Sequence, residues 1–246
     1  MTRTTICGVG VSAGKREELL GAVRALLGVG GRVYTLNPLM VMGAVHEEAV
    51  RDVLNRATLN IPDGIGIRRA LMRAGVPTDT LPGVELGEEL PTATCRIALL
   101  GAAPGVAAAA FSYLQARTPG LSCCFVKDGY SYTEADVTAA VRNTCPDLMY
   151  VCLGTPKQEI LIDRLSAVCP ATLYIGLGGS FDIYAGKRRR APSLFRRYGA
   201  EWLFRMAREP RRLSAVPTLI RFRQLVNREF SEKNSQNRAG KDGGFS

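Results

Sequence analysis

Short apolar runs rich in β-branched residues recur along the chain at Thr5 to Val11, Arg32 to Leu36, Thr58 to Ile61, Arg96 to Leu100, Ser122 to Val126, Leu148 to Leu153 and Leu173 to Leu177. Between most of them the apolar positions change to three- and four-residue spacing. That spacing predicts helices over Lys15 to Leu27, Pro38 to Arg56, Ile65 to Ala74, Ala107 to Ala116, Glu134 to Asn143 and Gln158 to Val168. Strand and helix in alternation predict an α/β fold with a largely parallel, Rossmann-like sheet and helices on both faces. The stretch Pro77 to Pro91, broken by Pro82, Gly83 and Gly87, predicts a flexible loop that closes over the site.

After Ile183 the alternation stops. Ser193 to Arg208, ended by Pro210, and Thr218 to Phe230, opened by Pro217, read as two basic amphipathic helices. Leu194, Tyr198, Trp202 and Met206 form one apolar stripe; Leu219, Phe222, Leu225 and Val226 form another. From Ser231 the chain is polar and then Gly-rich, the composition of a disordered tail. The expected organisation is an α/β catalytic domain over 1–186, a basic helical appendage over 187–230 and a tail over 231–246.

Charge supports that division. Residues 187–230 hold thirteen Lys or Arg against three acids, an excess equal to the whole formal net charge of +10 on the 246 residues. A basic balance confined to one segment predicts a local anionic partner. No apolar run reaches membrane-spanning length and the start lacks a signal-peptide layout, which predicts a protein kept in the cytosol. Seven cysteines without a C-x-x-C pair read as reduced thiols, and the one histidine, His46, falls in a helical pattern. The glycine-rich start up to Gly14-Lys15 fails as a phosphate loop: Val9 stands where the first Gly of that pattern belongs, and Arg16 stands where Ser or Thr should follow.

Four polar clusters carry the candidate chemistry: Thr35-Leu36-Asn37, Pro62-Asp63-Gly64, the run Leu153 to Glu159, and Gly178-Gly179-Ser180-Phe181-Asp182. The first three lie where a strand-like run gives way to a helix-like one; the fourth follows the last strand-like run. In an open parallel sheet such termini share the ligand-binding edge. Taken singly, Asn37 and Asp63 read as helix N-caps. Taken together, they define a pocket in which Asp63 can serve as general base toward a hydroxyl.

These blocks, in order, resemble the WecG/TagA/CpsF glycosyltransferases: Thr-x-Asn (Thr35, Asn37), Pro-Asp-Gly-Ile-Gly (Pro62 to Gly66), Leu-Gly-Thr-Pro-Lys-Gln-Glu (Leu153 to Glu159), Gly-Gly-Ser-Phe-Asp-x-x-x-Gly (Gly178 to Gly186), and Arg-Ala-Pro followed by Glu-Trp-Leu-Phe-Arg and Glu-Pro-x-Arg (Arg190 to Arg212). The resemblance implies inverting transfer of an N-acetylhexosamine, N-acetylmannosamine in the best-known members. The donor is a UDP-sugar, and the acceptor is N-acetylglucosamine on a polyprenyl diphosphate at the cytoplasmic membrane face, in teichoic acid or surface-polysaccharide synthesis. By motif match Asp63 is the base, Thr35 and Asn37 line the donor sugar site, Gln158 contacts substrate and Asp182 helps to hold the nucleotide. Gly129-Tyr130 stands at a nucleotide-contacting Gly-Tyr, although Val126, Lys127 and Asp128 depart from the family's His-rich form.

No D-x-D occurs in the chain, so metal-independent transfer without a cofactor is expected, with Arg205, Arg208 and Arg212 closing on the leaving diphosphate. The basic helices are also expected to dock on an anionic membrane. The rival readings are a different UDP-sugar, glucose or a uronic acid, and a nucleic-acid-binding protein. The last leaves Pro62-Asp63-Gly64 and Lys157-Gln158-Glu159 unexplained, so no nucleic-acid partner is expected. A homo-oligomer is compatible with the sequence.

Overall fold

In the computed structural model, residues 1–192, 195 and 210–242 are described, with side chains for 1–192, 195 and 213–231. Eight strands are present in this part of the chain: β1 (Thr2–Ile6), β2 (Val9–Ala13), β3 (Gly31–Leu36), β4 (Leu59–Pro62), β5 (Arg96–Gly101), β6 (Ser122–Lys127), β7 (Leu148–Cys152) and β8 (Leu173–Gly176). The helices are α1 (Arg16–Arg24), α2 (Pro38–His46), α3 (Glu48–Asn55), α4 (Ile65–Arg73), α5 (Gly83–Glu89), α6 (Val106–Arg117), α7 (Glu134–Thr144), α8 (Lys157–Val168), α9 (Ser180–Tyr184) and α10 (Val216–Asp242), the last preceded by a 3-10 turn over Pro210–Ala215.

Six strands form one parallel sheet in the order β4-β3-β8-β7-β5-β6. Every residue of β7 and β8 is buried, as expected for central strands covered on both faces. One face packs against α2, α3, α4, α7, α8 and α10 through residues such as Met40, Val53, Leu71, Ile162 and Phe222. The other packs against α1, α5, α6 and α9 through Leu19, Leu86, Leu114 and Phe181. The expected α/β architecture is thus present.

Four expectations differ in detail. The first apolar run is a hairpin: Cys7 (φ 48°) and Gly8 (φ 80°) form the two-residue turn between the Ile6 and Val9 partners, the backbone that hairpin twist favours. The Cys7 N–H is satisfied by the Glu229 carboxylate of α10 at 2.9 Å. The long helix expected from Pro38 divides at Glu47, whose extended backbone (φ −126°, ψ 112°) separates α2 from α3. The irregular stretch from Pro77 contains α5, and Leu81, Val84, Leu86 and Leu90 are buried in the core, so it is packed rather than loose.

The fourth difference concerns α10. Its stripe Phe222, Val226 and Phe230 is 5%, 4% and 7% exposed and joins the core beside α2 and α4. Each such side chain gains about 1.5–3 kcal/mol by leaving water for the core, so the face expected to meet lipid meets protein. The helix continues past Ser231 to Asp242. The first of the two basic helices expected after Ile183, from Ser193 to Arg208, falls largely outside the described residues.

Candidate active site

The strand order creates a switch point. The chain leaves β3 into α2 on one face of the sheet and leaves β8 into α9 on the other, although β3 and β8 are hydrogen-bonded neighbours. Diverging helices leave a crevice beyond the carboxyl ends of these strands, where ligands bind in open α/β sheets. Pairing of Leu36 with Pro62 sets Asn37 and Asp63 next to each other at that edge, and Asp63 N–H donates to the Leu36 carbonyl at 2.8 Å. The pairing of Tyr34 with Gly176 brings the start of the Gly178 to Asp182 block to the same place.

Asn37 caps α2: its side-chain oxygen accepts from the N–H groups of Leu39 (2.9 Å) and Met40 (3.2 Å). The cap uses only the oxygen, and no group among the described residues accepts from the amide nitrogen. Asp63 is half-buried at the end of β4, directly before Gly64 and α4. The capping expectation for Asp63 is not met, because α4 is entered through Gly64 without a side-chain cap.

Thr35 and Gln158 occupy a different layer. Thr35 is 6% exposed and donates its hydroxyl to the Gly176 carbonyl at 3.0 Å. The first residue of α5 lies on top of it: a Cβ on Gly83 would stand 3.1 Å from Thr35 Oγ1. Gln158 is 4% exposed, and both ends of its amide are engaged, Nε2 donating to Glu159 Oε1 at 2.6 Å and Oε1 accepting from Gly178 N–H at 3.2 Å. These two residues therefore shape the turn after β8 from below. Neither presents its polar group openly to the crevice.

Asp182 lies in α9 with its carboxylate 3.5 Å from Arg188 Nε, and Arg188 N–H donates to the Asp182 carbonyl at 2.9 Å. A guanidinium is thus carried to the Gly179 turn, a residue that the sequence blocks do not single out. Gly129 and Tyr130 follow β6, and the chain turns back along the edge: Gly129 N–H donates to the Ala102 carbonyl after β5 at 2.8 Å, and a Cβ on Gly129 would stand 3.0 Å from the Leu153 side chain after β7. Tyr130 is 81% exposed on a turn fixed by Asp128, which accepts from the N–H groups of Tyr130 (2.8 Å) and Ser131 (2.9 Å). The Ser131 hydroxyl and these N–H groups hold the Asp128 carboxyl below its ordinary range. Arg205 and Arg208 lie outside the described residues. Arg212 is within the 3-10 turn, and its side chain is not among those described.

An ion cluster fastens α5 over the site. Glu85 accepts from Arg190 (2.5 Å) and from Arg16 (3.0 Å), and Arg16 also pairs with Glu89. Burial pushes the Glu85 carboxyl up, but the Arg190 and Arg16 guanidinia together bring it below the usual value. The hydroxyls of Tyr150 and Tyr184 donate to the carbonyls of Gly87 (3.1 Å) and Val84 (2.7 Å) from beneath. Arg190 belongs to the Arg-Ala-Pro block, whose chemistry in the sequence is silent until its partner on α5 is known.

A cavity of about 390 Å³ lined by Gly31, Arg32, Arg56, Thr58 and Asp163 opens at the amino ends of the strands, away from this edge. Its two arginines are already paired with Asp163, each at 2.7 Å, which makes it a structural ion cluster. Among the described residues no three His, Cys, Asp or Glu side chains gather as metal ligands, and no helix is long and apolar enough to cross a membrane.

The switch-point crevice, with a carboxylate and a helix-capping asparagine side by side at its floor, defines a parallel α/β enzyme acting on a ligand at the strand ends. The chain belongs to the glycosyl transferase WecG/TagA/CpsF family, whose model matches residues 4–236. It is a glycosyltransferase. Its relatives include proteins named N-acetylglucosaminyldiphosphoundecaprenol N-acetyl-β-D-mannosaminyltransferase. The one from Bacillus spizizenii is 31% identical over 199 residues, covering 78% of this chain and 77% of the relative. That from Bacillus subtilis strain 168 is 30% identical over 213 residues (83% and 82%), and that from Staphylococcus aureus strain MW2 is 31% identical over 192 residues (76% of each).

Proposed function

We propose that the protein transfers N-acetylmannosamine from a UDP donor to N-acetylglucosamine carried on a polyprenyl diphosphate. The observation that carries this reading is the agreement of relatives of one name over about four-fifths of both chains, together with the setting of Asp63 beside Asn37. In the reaction the Asp63 carboxylate takes the proton of the acceptor hydroxyl. That oxygen bonds to the anomeric carbon from the face opposite the leaving group, the bond from this carbon to the diphosphate oxygen breaks, and UDP departs. Positioning and proton removal by a carboxylate contribute about 10²–10⁴ in rate.

The donor sugar sits above Asn37, whose amide is available to a hydroxyl or acetamido oxygen. The nucleotide lies along the strand ends toward Tyr130, where an exposed ring suits a planar base. Charge on the departing diphosphate is met by the arginines that follow Gly186, Arg188 among them and Arg205, Arg208 and Arg212 as the sequence motifs indicate. Guanidinium groups match phosphate oxygens two at a time, so transfer proceeds without a metal. The basic segment brings the enzyme to an anionic membrane surface, where a polyprenyl acceptor resides.

The test is incubation with a panel of UDP-sugars and a short-chain lipid-diphosphate N-acetylglucosamine in the presence of EDTA. UDP release with a disaccharide-lipid product from UDP-N-acetylmannosamine is expected. Product only from UDP-glucose or a UDP-uronic acid reassigns the donor, and a strict requirement for added metal overturns the metal-independent step.

A further inference from the structure

Glu159 is 1% exposed at the start of α8, and its Oε2 makes no hydrogen bond of normal geometry. A buried carboxyl oxygen without a partner costs stability, about 1–3 kcal/mol from mutational comparisons. An apolar residue of the same size avoids that cost, so packing alone does not account for a carboxyl here. What the other oxygen does supplies a reason. Glu159 Oε1 accepts from Gln158 Nε2 at 2.6 Å, while Gln158 Oε1 accepts from Gly178 N–H at 3.2 Å.

This arrangement decides which way the Gln158 amide points. Turned over, it would set oxygen against oxygen at Glu159 and N–H against N–H at Gly178. Space is equally determined: Gln158 Nε2 lies 2.9 Å from the position of a Cβ on Gly176, so the amide packs directly against that glycine. The same Gly176 carries the carbonyl that takes the Thr35 hydroxyl. The Tyr34 hydroxyl donates to the Glu159 carbonyl at 3.2 Å and fixes the backbone of the residue itself. One buried chain of hydrogen bonds runs from Glu159 through Gln158 to Gly178, whose turn delivers Asp182 and Arg188 to the crevice.

We infer that Glu159 is a positioning residue for sugar transfer, holding the Gln158 amide in the one orientation that braces the Gly176–Gly178 turn beneath the donor. The inference rests on the function proposed above. It does not require that Glu159 touch substrate. Misplacing a substrate-bearing turn by a fraction of an ångström is enough to reduce turnover, because bound reactants must stay in a near-attack geometry.

The experiment compares wild type with Glu159→Gln, Glu159→Leu, Gln158→Ala and the Gln158→Ala/Glu159→Leu double variant, using the UDP-sugar that wild type accepts and recording kcat, donor KM and Tm. Glu159→Gln keeps an acceptor for Gln158 and should stay within about threefold of wild type, whereas Glu159→Leu should lose about tenfold or more in kcat/KM. Its Tm should change little, because losing the unpartnered oxygen offsets losing the acceptor of the buried Gln158 Nε2; a purely structural role predicts that Tm and activity fall together. The double variant should be no worse than Gln158→Ala, because the two residues act as one unit. Should the leucine variant not fold, Glu159→Met carries the same comparison. Wild-type kcat/KM in the apolar variant, or an equal loss in Glu159→Gln, overturns the inference alone. Absence of transfer by wild type from every donor overturns the proposed function and the inference with it.

Discussion

Truncating Phe222 to alanine distinguishes a helix that belongs to the core from one held ready for lipid. Phe222 is 5% exposed and packs with Val226 and Phe230 into the core beside α2 and α4. Removing a buried phenylalanine ring costs about 3–5 kcal/mol in lost transfer energy and cavity formation. For a chain of this size each kcal/mol lowers Tm by about 2–4 °C, so a drop of about 6–20 °C is expected. The control is Ile220→Ala, on the same helix but 53% exposed, for which a change within about 0.5 kcal/mol is expected. Thermal unfolding followed by circular dichroism reads both variants, and sedimentation with anionic vesicles in the same samples reads membrane binding. A Phe222→Ala protein with wild-type Tm and weakened vesicle binding would refute the reasoning, because it would place the ring at the lipid instead of in the core.

Asp63→Asn should reduce transfer by about 10²–10⁴ while calorimetric UDP affinity stays near wild type, and undiminished turnover removes Asp63 from the general-base role. Tyr130→Ala should raise donor KM with little change in kcat; an unaltered KM argues that the nucleotide lies elsewhere on the edge. Glu85 has a lowered pKa, so its pairing with Arg190 and Arg16 stabilises the protein above the ordinary carboxylate value of 4.5 and that contribution is lost as pH falls below it. Glu85→Gln should therefore lower Tm at pH 7 and flatten the fall in Tm on acidification; an acid limb identical to wild type would exclude the pair as its source. Glu159 has the opposite sign. Burial raises its pKa, so stability relative to a neutral side chain is lost as pH rises from 4.5 through the raised folded-state pKa, and Glu159→Gln should gain Tm over wild type across that rise and level off above it.

Elements whose pattern is decided locally were legible in the sequence. Leu148 to Leu153 and Leu173 to Leu177 read as strands because both faces of β7 and β8 are buried, leaving continuous apolar runs. The Cys7-Gly8 turn was hidden by the same rule, since apolar Ile6 and Val9 flank it and the run reads straight through. The apolar positions of α5 were masked by Pro82 and Gly83, although that glycine is what lets α5 approach Thr35. For α10 the sequence is ambiguous on physical grounds: a basic amphipathic helix has the same periodicity whether its stripe meets lipid or protein. Asp63 and Asn37 could be placed at one edge because both follow strands, but their adjacency depends on pairing between β3 and β4. The partnership of Thr35 with Gly176 joins residues 141 apart in sequence, which no local pattern reveals.

The separation of the polar residues into two layers bears on how the site works. Residues facing the crevice, such as Asn37 and Asp182, sit at helix starts or short turns where small backbone shifts would move them. Thr35, Gln158 and Glu159 are buried and bonded to the backbone of the turn that follows β8, and the Glu85 pairing with Arg190 and Arg16 fastens α5 above it. Charge on a departing diphosphate is stabilised most by groups that need not reorganise as it develops. A frame whose hydrogen bonds are already made gives the exposed groups that property, and it does so without presenting a further carboxylate to an anionic substrate. Substitutions in the frame should consequently act on kcat/KM through geometry, whereas substitutions of Asn37 or Asp63 should act through the contact or proton each supplies. Donor KM and kcat measured separately for Thr35→Val and Asn37→Ala would show whether that division holds.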